Sequence, residues 1–193
     1  MLTSYAVQFA IVIWLSLEYQ SAEVLAYAGI AGILPQAIIG PLAGVYIDRT
    51  NRKRIMILSD TFIAVCAIVL IFILNKETVN LVWIYIMLGL RSVGNAFHSP
   101  ALQALAPLIV PKKELLRVAG INQMLHSICS IGGPALGTVA IAILPISNVL
   151  YLDLIGALLA ISSLMMVRIP QTIKGSKFSV HTISTEFIDG LHI

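Results

Sequence analysis

The chain has 193 residues, of which 59% are hydrophobic and only 11% are charged, and its formal net charge at pH 7 is +3. Soluble domains have about 45–50% apolar and about 25% charged residues, so this composition excludes an ordinary soluble domain and indicates a membrane protein. The two cysteines, Cys66 and Cys129, lie in apolar runs and provide neither a disulfide framework nor a metal-ligand spacing.

Six apolar segments follow one another, each close to the roughly 20 residues that a membrane-spanning helix needs. They are approximately 1–17, 24–47, 55–75, 81–99, 118–144 and 149–167. We therefore expect an all-α membrane protein, a six-helix transmembrane bundle over residues 1–169. Residues 170–193 are polar and are expected to begin a cytoplasmic loop with a partial amphipathic helix. The first segment is short and has no basic stretch before it, so we expect a spanning helix that lacks its start rather than a signal peptide.

Prolines interrupt the segments at defined places. Pro35 and Pro41 interrupt the second segment, where neighbouring helices or water must satisfy the freed carbonyls. After Pro100 we expect a short interfacial helix and a turn, because Pro107 and Pro111 oppose a long continuous span.

Lysine and arginine residues cluster in alternate connections, and this pattern predicts orientation. The connections after the second, fourth and sixth segments hold all but two of the 12 basic residues: Arg49, Arg52, Lys53, Arg54, Lys112, Lys113, Arg117, Arg168, Lys174 and Lys177. Of the other two, Lys76 lies in an outer connection and Arg91 lies inside a segment. We expect a multi-pass protein of the cytoplasmic (inner or plasma) membrane, with both termini in the cytoplasm.

The connection after the second segment, GPLAGVYIDRTNRKR at 40–54, joins an apolar run to a basic cluster. Gly40 and Gly44 share one helix face and would let another helix approach, and Asp48 follows one turn later on that face. Asn51 tolerates a left-handed backbone, so we expect a helix end, a tight turn and a new helix from about Arg54. The alternative is a generic basic loop that obeys the positive-inside rule.

This stretch resembles the motif between helices two and three of the major facilitator superfamily of transporters. The glycine, acidic and basic positions of that motif are matched by Gly44, Asp48, Arg49, Arg52 and Lys53, whereas Asn51 replaces its second glycine. The resemblance implies half of a twelve-helix fold in which two six-helix bundles rock around a midplane site. The matched residues would then govern gating rather than substrate choice.

Three charged residues fall inside apolar segments: Asp60, Arg91 and Asp153. Each costs at least about 2.5–3.5 kcal/mol at the bilayer centre, which marks them as structural or functional. Asp60 and Arg91 lie at similar depths on consecutive antiparallel segments, so we expect them to pair, with Asp48 as a competitor for Arg91. Asp60, Asp153 and His126 are candidate proton-coupling residues, and a static structural role is the alternative for each.

Arg91 begins the run RSVGNAFHSPA at 91–101, which resembles the fourth-helix motif of the superfamily and, more closely, its macrolide-efflux branch. The resemblance implies a gating role for Arg91. The glycine that usually follows is replaced by Asn95. His98 lies at the cytoplasmic end, where a capping or interfacial role is expected more often than proton transfer.

The fifth segment contains CSIGGPALGT at 129–138. Pro134 removes a helix hydrogen bond, while Gly133 and Gly137 flatten one face so that a neighbouring helix can pack closely. The run resembles the antiporter motif of the superfamily, although Cys129 and Thr138 replace its outer glycines. A structural kink is the alternative.

Polar residues form a stripe on this segment, because Asn122, His126 and Ser130 are four residues apart. Gln8 and Ser4 form a similar pair on the first segment. Such residues either line an aqueous cavity or bond one helix to another. In the family that the chain resembles, the first and fifth helices face the central cavity, so Gln8, Asn122 and Ser130 are candidate cavity-lining residues.

No P-loop, metalloprotease or dinucleotide motif is present in the sequence, and the basic cluster lacks the interleaved aromatic residues typical of nucleic-acid binding. The resemblance therefore implies the N-terminal half of a drug exporter in the macrolide-efflux branch, driven by a proton gradient without a cofactor. Expected partners are membrane lipids, a lipophilic small-molecule substrate and a second six-helix half. The alternatives are a non-transporting partner or fragment that completes or inhibits a longer transporter, and a membrane-embedded enzyme.

Overall fold

The structure, a computed structural model, describes residues 1–76 and 78–166, which are helical apart from short connections. The helices are α1 Leu2–Tyr19, α2 Ala22–Asp48, α3 Arg52–Leu74, α4 Leu81–Ile109, α5 Leu115–Ile143, α6 Ile146–Val149 and α7 Tyr151–Met166, with a 3₁₀ turn at Lys112–Glu114 before α5. The all-α prediction is confirmed for this part of the chain. The predicted tail 170–193 and the last residues of the predicted bundle 1–169 lie outside the described residues.

Within residues 1–76 and 78–166, five helical stretches are long and apolar enough to cross a membrane: α1, α2, α3, the stretch that ends in α5, and α6 with α7. The remaining long helix, α4, has 29 residues, but Arg91, Asn95 and His98 interrupt its apolar character. It lies between α2 and α3 and packs extensively on both. A helix shielded in this way can carry polar residues that a lipid-facing helix cannot.

Prolines do not end helices in this fold. The predicted break after Pro100 was wrong, because α4 continues through Pro100 and Pro107 to Ile109. Likewise α2 continues through Pro35 and Pro41, as predicted. Beside Pro35, the backbone N–H of Gln36 donates to the Ser92 hydroxyl at 3.1 Å, so a neighbouring helix satisfies the backbone where the proline disturbs it.

Two apolar clusters occupy the two ends of the bundle. One contains Ile11, Leu15, Leu70, Leu88 and Leu150 among its buried members. The other, near the α2–α3 turn, contains Ala43, Ile47, Ile55, Met56, Ala101 and Leu105. In the sequences of α3, α4 and α7, residues of one cluster are separated from residues of the other by buried polar residues: Ser59, Arg91, Ser92 and Asp153. Large apolar side chains such as Leu58, Phe72 and Leu158 are exposed on the outside, as expected for a surface that contacts lipid.

The α2–α3 turn differs from prediction in its backbone. Asn51 is the N-cap of α3 with φ −73°, and its side chain accepts the Arg54 backbone N–H at 3.2 Å. It is not left-handed, and α3 begins at Arg52 rather than near Arg54. A cap lets Asn51 satisfy a free N–H in an ordinary extended conformation, which needs no glycine-like freedom.

Candidate functional site

A cavity of about 430 Å³ opens among α1, α2, α3, α4 and α5. Its polar lining comes from all five helices: Ser4, Tyr5, Gln8, Gln36, Asp60, Ser92, Asn95, His98, Ser99 and His126. Apolar residues such as Val12, Ile33 and Ile63 complete the wall. Ligand pockets of this size are typically apolar with a few placed polar groups, so the cavity is the candidate binding site.

The predicted partner of Arg91 was wrong. Its guanidinium lies 2.5 Å from the Asp153 carboxylate, and each side chain is about 2% exposed or less. The Ser4 hydroxyl donates to the other Asp153 oxygen at 3.0 Å, which joins α1 to this pair. The physical reason is helix arrangement, because α3 packs on both α4 and α7 and lets α7 reach Arg91. Neither Arg91 nor Asp153 lines the cavity.

Asp60 instead faces His98. The two side chains lie 3.3 Å apart across the α3–α4 interface, with 13% and 17% of their surfaces exposed. Both line the cavity. The second oxygen of Asp60 is buried without a hydrogen-bond partner among the described residues. His98 is therefore part of the polar site and not only a capping residue.

His126, the second cavity histidine, contacts Tyr5. The Tyr5 hydroxyl lies 2.7 Å from the imidazole Nε2, and the rings meet edge to face with centroids 5.7 Å apart. This contact ties α1 to α5 at the cavity wall.

The predicted polar stripe of α5 reaches the cavity only through His126. Gln8 of α1 lines this cavity, whereas Asn122 and Ser130 do not and are exposed, so their place in a central cavity between two bundles stays a prediction. Ser130 donates to the Ser127 carbonyl of its own helix at 2.9 Å.

The basic corner at the α2–α3 turn joins three helix ends. Arg52 lies 3.3 Å from Asp48 and donates to the Ala104 carbonyl of α4 at 2.6 Å. Lys53 donates to the Met165 carbonyl of α7 at 3.3 Å. The α2–α3 turn, the end of α4 and the end of α7 therefore lie at the same end of the bundle, as the alternating basic connections predicted.

The two glycine pairs behave differently. A Cβ at Gly133 would meet the Tyr5 side chain, and one at Gly137 would meet the Ala6 carbonyl oxygen, so α5 packs directly on the α1 backbone as predicted. At Gly40 and Gly44 a Cβ would meet nothing within 4 Å. No helix of the described part of the chain approaches that face of α2, so the predicted close packing there is absent within residues 1–76 and 78–166.

Comparison with known proteins assigns this architecture. The family described as Major Facilitator Superfamily matches residues 1–187. The chain belongs to the major facilitator superfamily. It is 38% identical over 171 residues, 89% of its length, to macrolide efflux protein A of Streptococcus pyogenes, and 38% identical over 151 residues to macrolide efflux protein A of Enterococcus faecalis. It is also 30% identical over 138 residues to the uncharacterized MFS-type transporter YkuC of Bacillus subtilis.

The chain spans less than half the length of these relatives, with 42% of the streptococcal and 46% of the enterococcal protein covered. Membership in the major facilitator superfamily places the chain among membrane transporters rather than enzymes. Together with the apolar helices, it makes the chain a multi-pass membrane protein.

Sequence reasoning missed several residues of this superfamily member's polar site. Tyr5 and Gln36 were not identified, because an aromatic or amide side chain in an apolar run has no distinctive spacing. The Ser4–Asp153 bond joins residues 149 positions apart, which no local pattern reveals. The small residues Gly89 and Ser92 of α4 were the available signals for close contact between α2 and α4.

Proposed function

We propose that the chain forms the N-terminal six-helix half of a secondary active transporter that exports lipophilic drugs such as macrolides across the cytoplasmic membrane. The observation that carries this proposal is its 38% identity to proteins named macrolide efflux protein A over as much as 89% of its length. The polar-lined cavity of about 430 Å³ supports it, because such a cavity holds part of a drug-sized molecule.

The driving force is proton entry, for which the membrane potential supplies about 2.3 kcal/mol per charge per 100 mV. The basic corner, Arg91 and the α5 glycine–proline run control rocking of this bundle against a second one. The exposed apolar faces, with the open positions at Gly40 and Gly44, are where that second bundle packs. Both termini and the basic connections face the cytoplasm.

The test is a fusion of this chain to the part of the streptococcal relative that lies beyond the aligned region. The fusion and the chain alone are each reconstituted into liposomes with an imposed proton gradient, and movement of a radiolabelled macrolide is followed. We expect export by the fusion that stops when a protonophore collapses the gradient, and no export by the chain alone. Export by the chain alone contradicts the half-transporter proposal, and export insensitive to the protonophore contradicts proton drive.

A second candidate function is a non-transporting partner that completes or inhibits a longer transporter. It is favoured by the face of α2 at Gly40 and Gly44, which no described helix covers and which is open to another membrane protein. Co-expression with the complete streptococcal relative distinguishes it: an inhibitor lowers macrolide export in proportion to its level, whereas a transporting half leaves export unchanged.

Orientation is tested separately by labelling single cysteines with a membrane-impermeant maleimide in intact cells, after replacing Cys66 and Cys129 by serine. Cysteine at Thr50 is expected to react only after the cells are opened, whereas cysteine at Lys76 reacts in intact cells. Labelling of position 50 from outside would contradict the proposed orientation.

A further inference from the structure

Among residues 1–76 and 78–166, two carboxylates lie inside the bundle, those of Asp60 and Asp153, and their surroundings differ. Asp153 is held by Arg91 at 2.5 Å and by the Ser4 hydroxyl, and its side chain is 1% exposed. Because a guanidinium stays protonated in proteins, neutralising Asp153 would leave the buried positive charge of Arg91 without a counter-charge. Neither member of this pair lines the cavity. Asp153 therefore acts as an anchor and not as a proton carrier.

Asp60 has the opposite surroundings. Its neighbour is an imidazole, the side chain whose ordinary titration falls between about pH 5 and 8, so the neighbour can release its proton. The nearer Asp60 oxygen is 3.3 Å from His98 Nε2, and the other oxygen is buried without a hydrogen-bond partner among the described residues. That second oxygen is the position where a proton on the carboxyl group would lie. Both side chains line the cavity, which gives water access to them.

The other titratable groups around the cavity are few. They are the Met1 amino group and Tyr5 from α1 and His126 from α5, and Asp153 from α7 acts on Asp60 from farther away. His126 is already engaged by the Tyr5 hydroxyl, and Arg91 of α4 is engaged by Asp153. The remaining polar walls nearby are neutral amides and hydroxyls. One proton taken up by Asp60 and His98 changes the charge of this pair from −1 to 0.

We propose that Asp60 and His98 together form the proton-binding pair of this cavity, sharing one proton taken from and returned to cavity water. This proposal rests on the proposed transport function, because it supplies the site where the coupling proton binds. The only bonds that change are one N–H or O–H on the pair and one O–H in water. Asp153 and His126, the other residues that the sequence favours for proton coupling, are assigned structural roles.

The experiment follows the histidine rings of the full chain in lipid nanodiscs by ¹⁵N magnetic resonance from about pH 5 to 9. The chain has four histidines, so their signals can be resolved and assigned. Asp60→Asn is expected to move the titration midpoint of His98 by about tenfold or more in proton concentration, because the charge beside it is lost. His126 is the internal control and is expected to keep its midpoint. Asp60→Glu, which keeps the negative charge, is expected to leave the His98 midpoint close to its wild-type value. Glu18→Gln, which removes an exposed acid, is expected to leave all four histidine midpoints unchanged.

An unchanged His98 midpoint in Asp60→Asn overturns the proposal, as does the absence of any His98 titration in the wild-type chain. If Asp60→Asn does not fold, His98→Gln is used instead, and the protonated Asp60 carboxyl is followed by its infrared C=O stretch. The proposal is also overturned if the C=O stretch of Asp60 has the same titration midpoint in the wild-type chain and in His98→Gln. These measurements need neither substrate nor a second bundle. If the His98 midpoint depends on Asp60 but the fusion does not export a macrolide, only the proposed function is refuted. If the fusion exports a macrolide but the His98 midpoint does not depend on Asp60, only this inference is refuted.

Discussion

Removing the negative charge from the buried ion pair is expected to be the most damaging conservative substitution in the bundle. In Asp153→Asn the shape of the side chain is kept, and the amide oxygen can still accept from Ser4. The Arg91 guanidinium, only 2% exposed, then loses the counter-charge that lies 2.5 Å away. Breaking one side of a buried pair costs about 3–5 kcal/mol, and solvent screening does not reduce this for groups so well shielded. Because Asn keeps one hydrogen bond, we expect the lower end, about 3 kcal/mol.

The physical reasoning is tested by a double-mutant cycle with Arg91→Met and Asp153→Leu. Each single change leaves one charge without its partner, whereas the double change leaves an apolar contact. Replacing a whole buried pair by apolar residues is often neutral or stabilising, so we expect the double variant to be as stable as the wild type within about 1 kcal/mol. The coupling free energy is the loss in the double variant minus the losses in both single variants, so with about 3 kcal/mol lost in each single variant it is expected to be about 6 kcal/mol in magnitude.

The assay is reversible unfolding in mixed micelles with increasing sodium dodecyl sulfate, followed by fluorescence of the chain's two tryptophans. A loss of about 3 kcal/mol corresponds to an unfolding equilibrium constant more than 100-fold larger, since each 1.4 kcal/mol is about a factor of ten. Glu18→Gln is the matched control, because Glu18 is an exposed acid and its removal is expected to change stability by less than about 0.5 kcal/mol. Asp153→Asn with a loss below about 1 kcal/mol, or additive effects in the cycle, would refute the anchoring role.

Three further predictions use the same unfolding assay. Gly137→Ala is expected to destabilise the chain by about 1–3 kcal/mol, because the added methyl group would collide with the α1 backbone. The control is Gly120→Ala, where nothing lies within 4 Å and the chain gains up to about 1 kcal/mol of helix propensity. Equal effects of the two substitutions would contradict the α1–α5 packing. Arg52→Ala is expected to lower the free energy of unfolding by about 1.5–3 kcal/mol, because its hydrogen bond to the Ala104 carbonyl of α4 is lost. Asp48→Asn is expected to lower it by at most about 1 kcal/mol, because the Asp48 carboxylate is mostly exposed. A larger loss for Asp48→Asn than for Arg52→Ala would refute this ranking. Tyr5→Phe is expected to lower the free energy of unfolding by about 0.5–1.5 kcal/mol, because the hydrogen bond between Tyr5 and His126 is removed. Tyr151→Phe, at an exposed position, is the control and is expected to change it very little. Equal effects of the two substitutions would contradict the hydrogen bond.

The sequence by itself determined the fold class, the positions of the long helices and the common end of the basic connections. Apolar runs of about 20 residues admit few structures in lipid, because every backbone polar group must be bonded within the helix. Local chemistry was also readable. Gly133 and Gly137 predicted that α5 packs closely on a neighbouring helix, which the structure shows to be α1.

Tertiary structure alone decided which side chains meet. A periodic pattern shows which residues share a helix face, but not which neighbour that face contacts, since each helix can rotate about its axis and pack on any other. Arg91 was expected to pair with Asp60 of the preceding helix, but its partner Asp153 lies on α7, and Asp60 pairs with His98. Asn122, His126 and Ser130 share a helix face, but among these three only His126 lines the cavity that Gln8 also lines. The charges inside the bundle were evident from sequence because burying them is costly, but their pairing depends on the order in which helices pack.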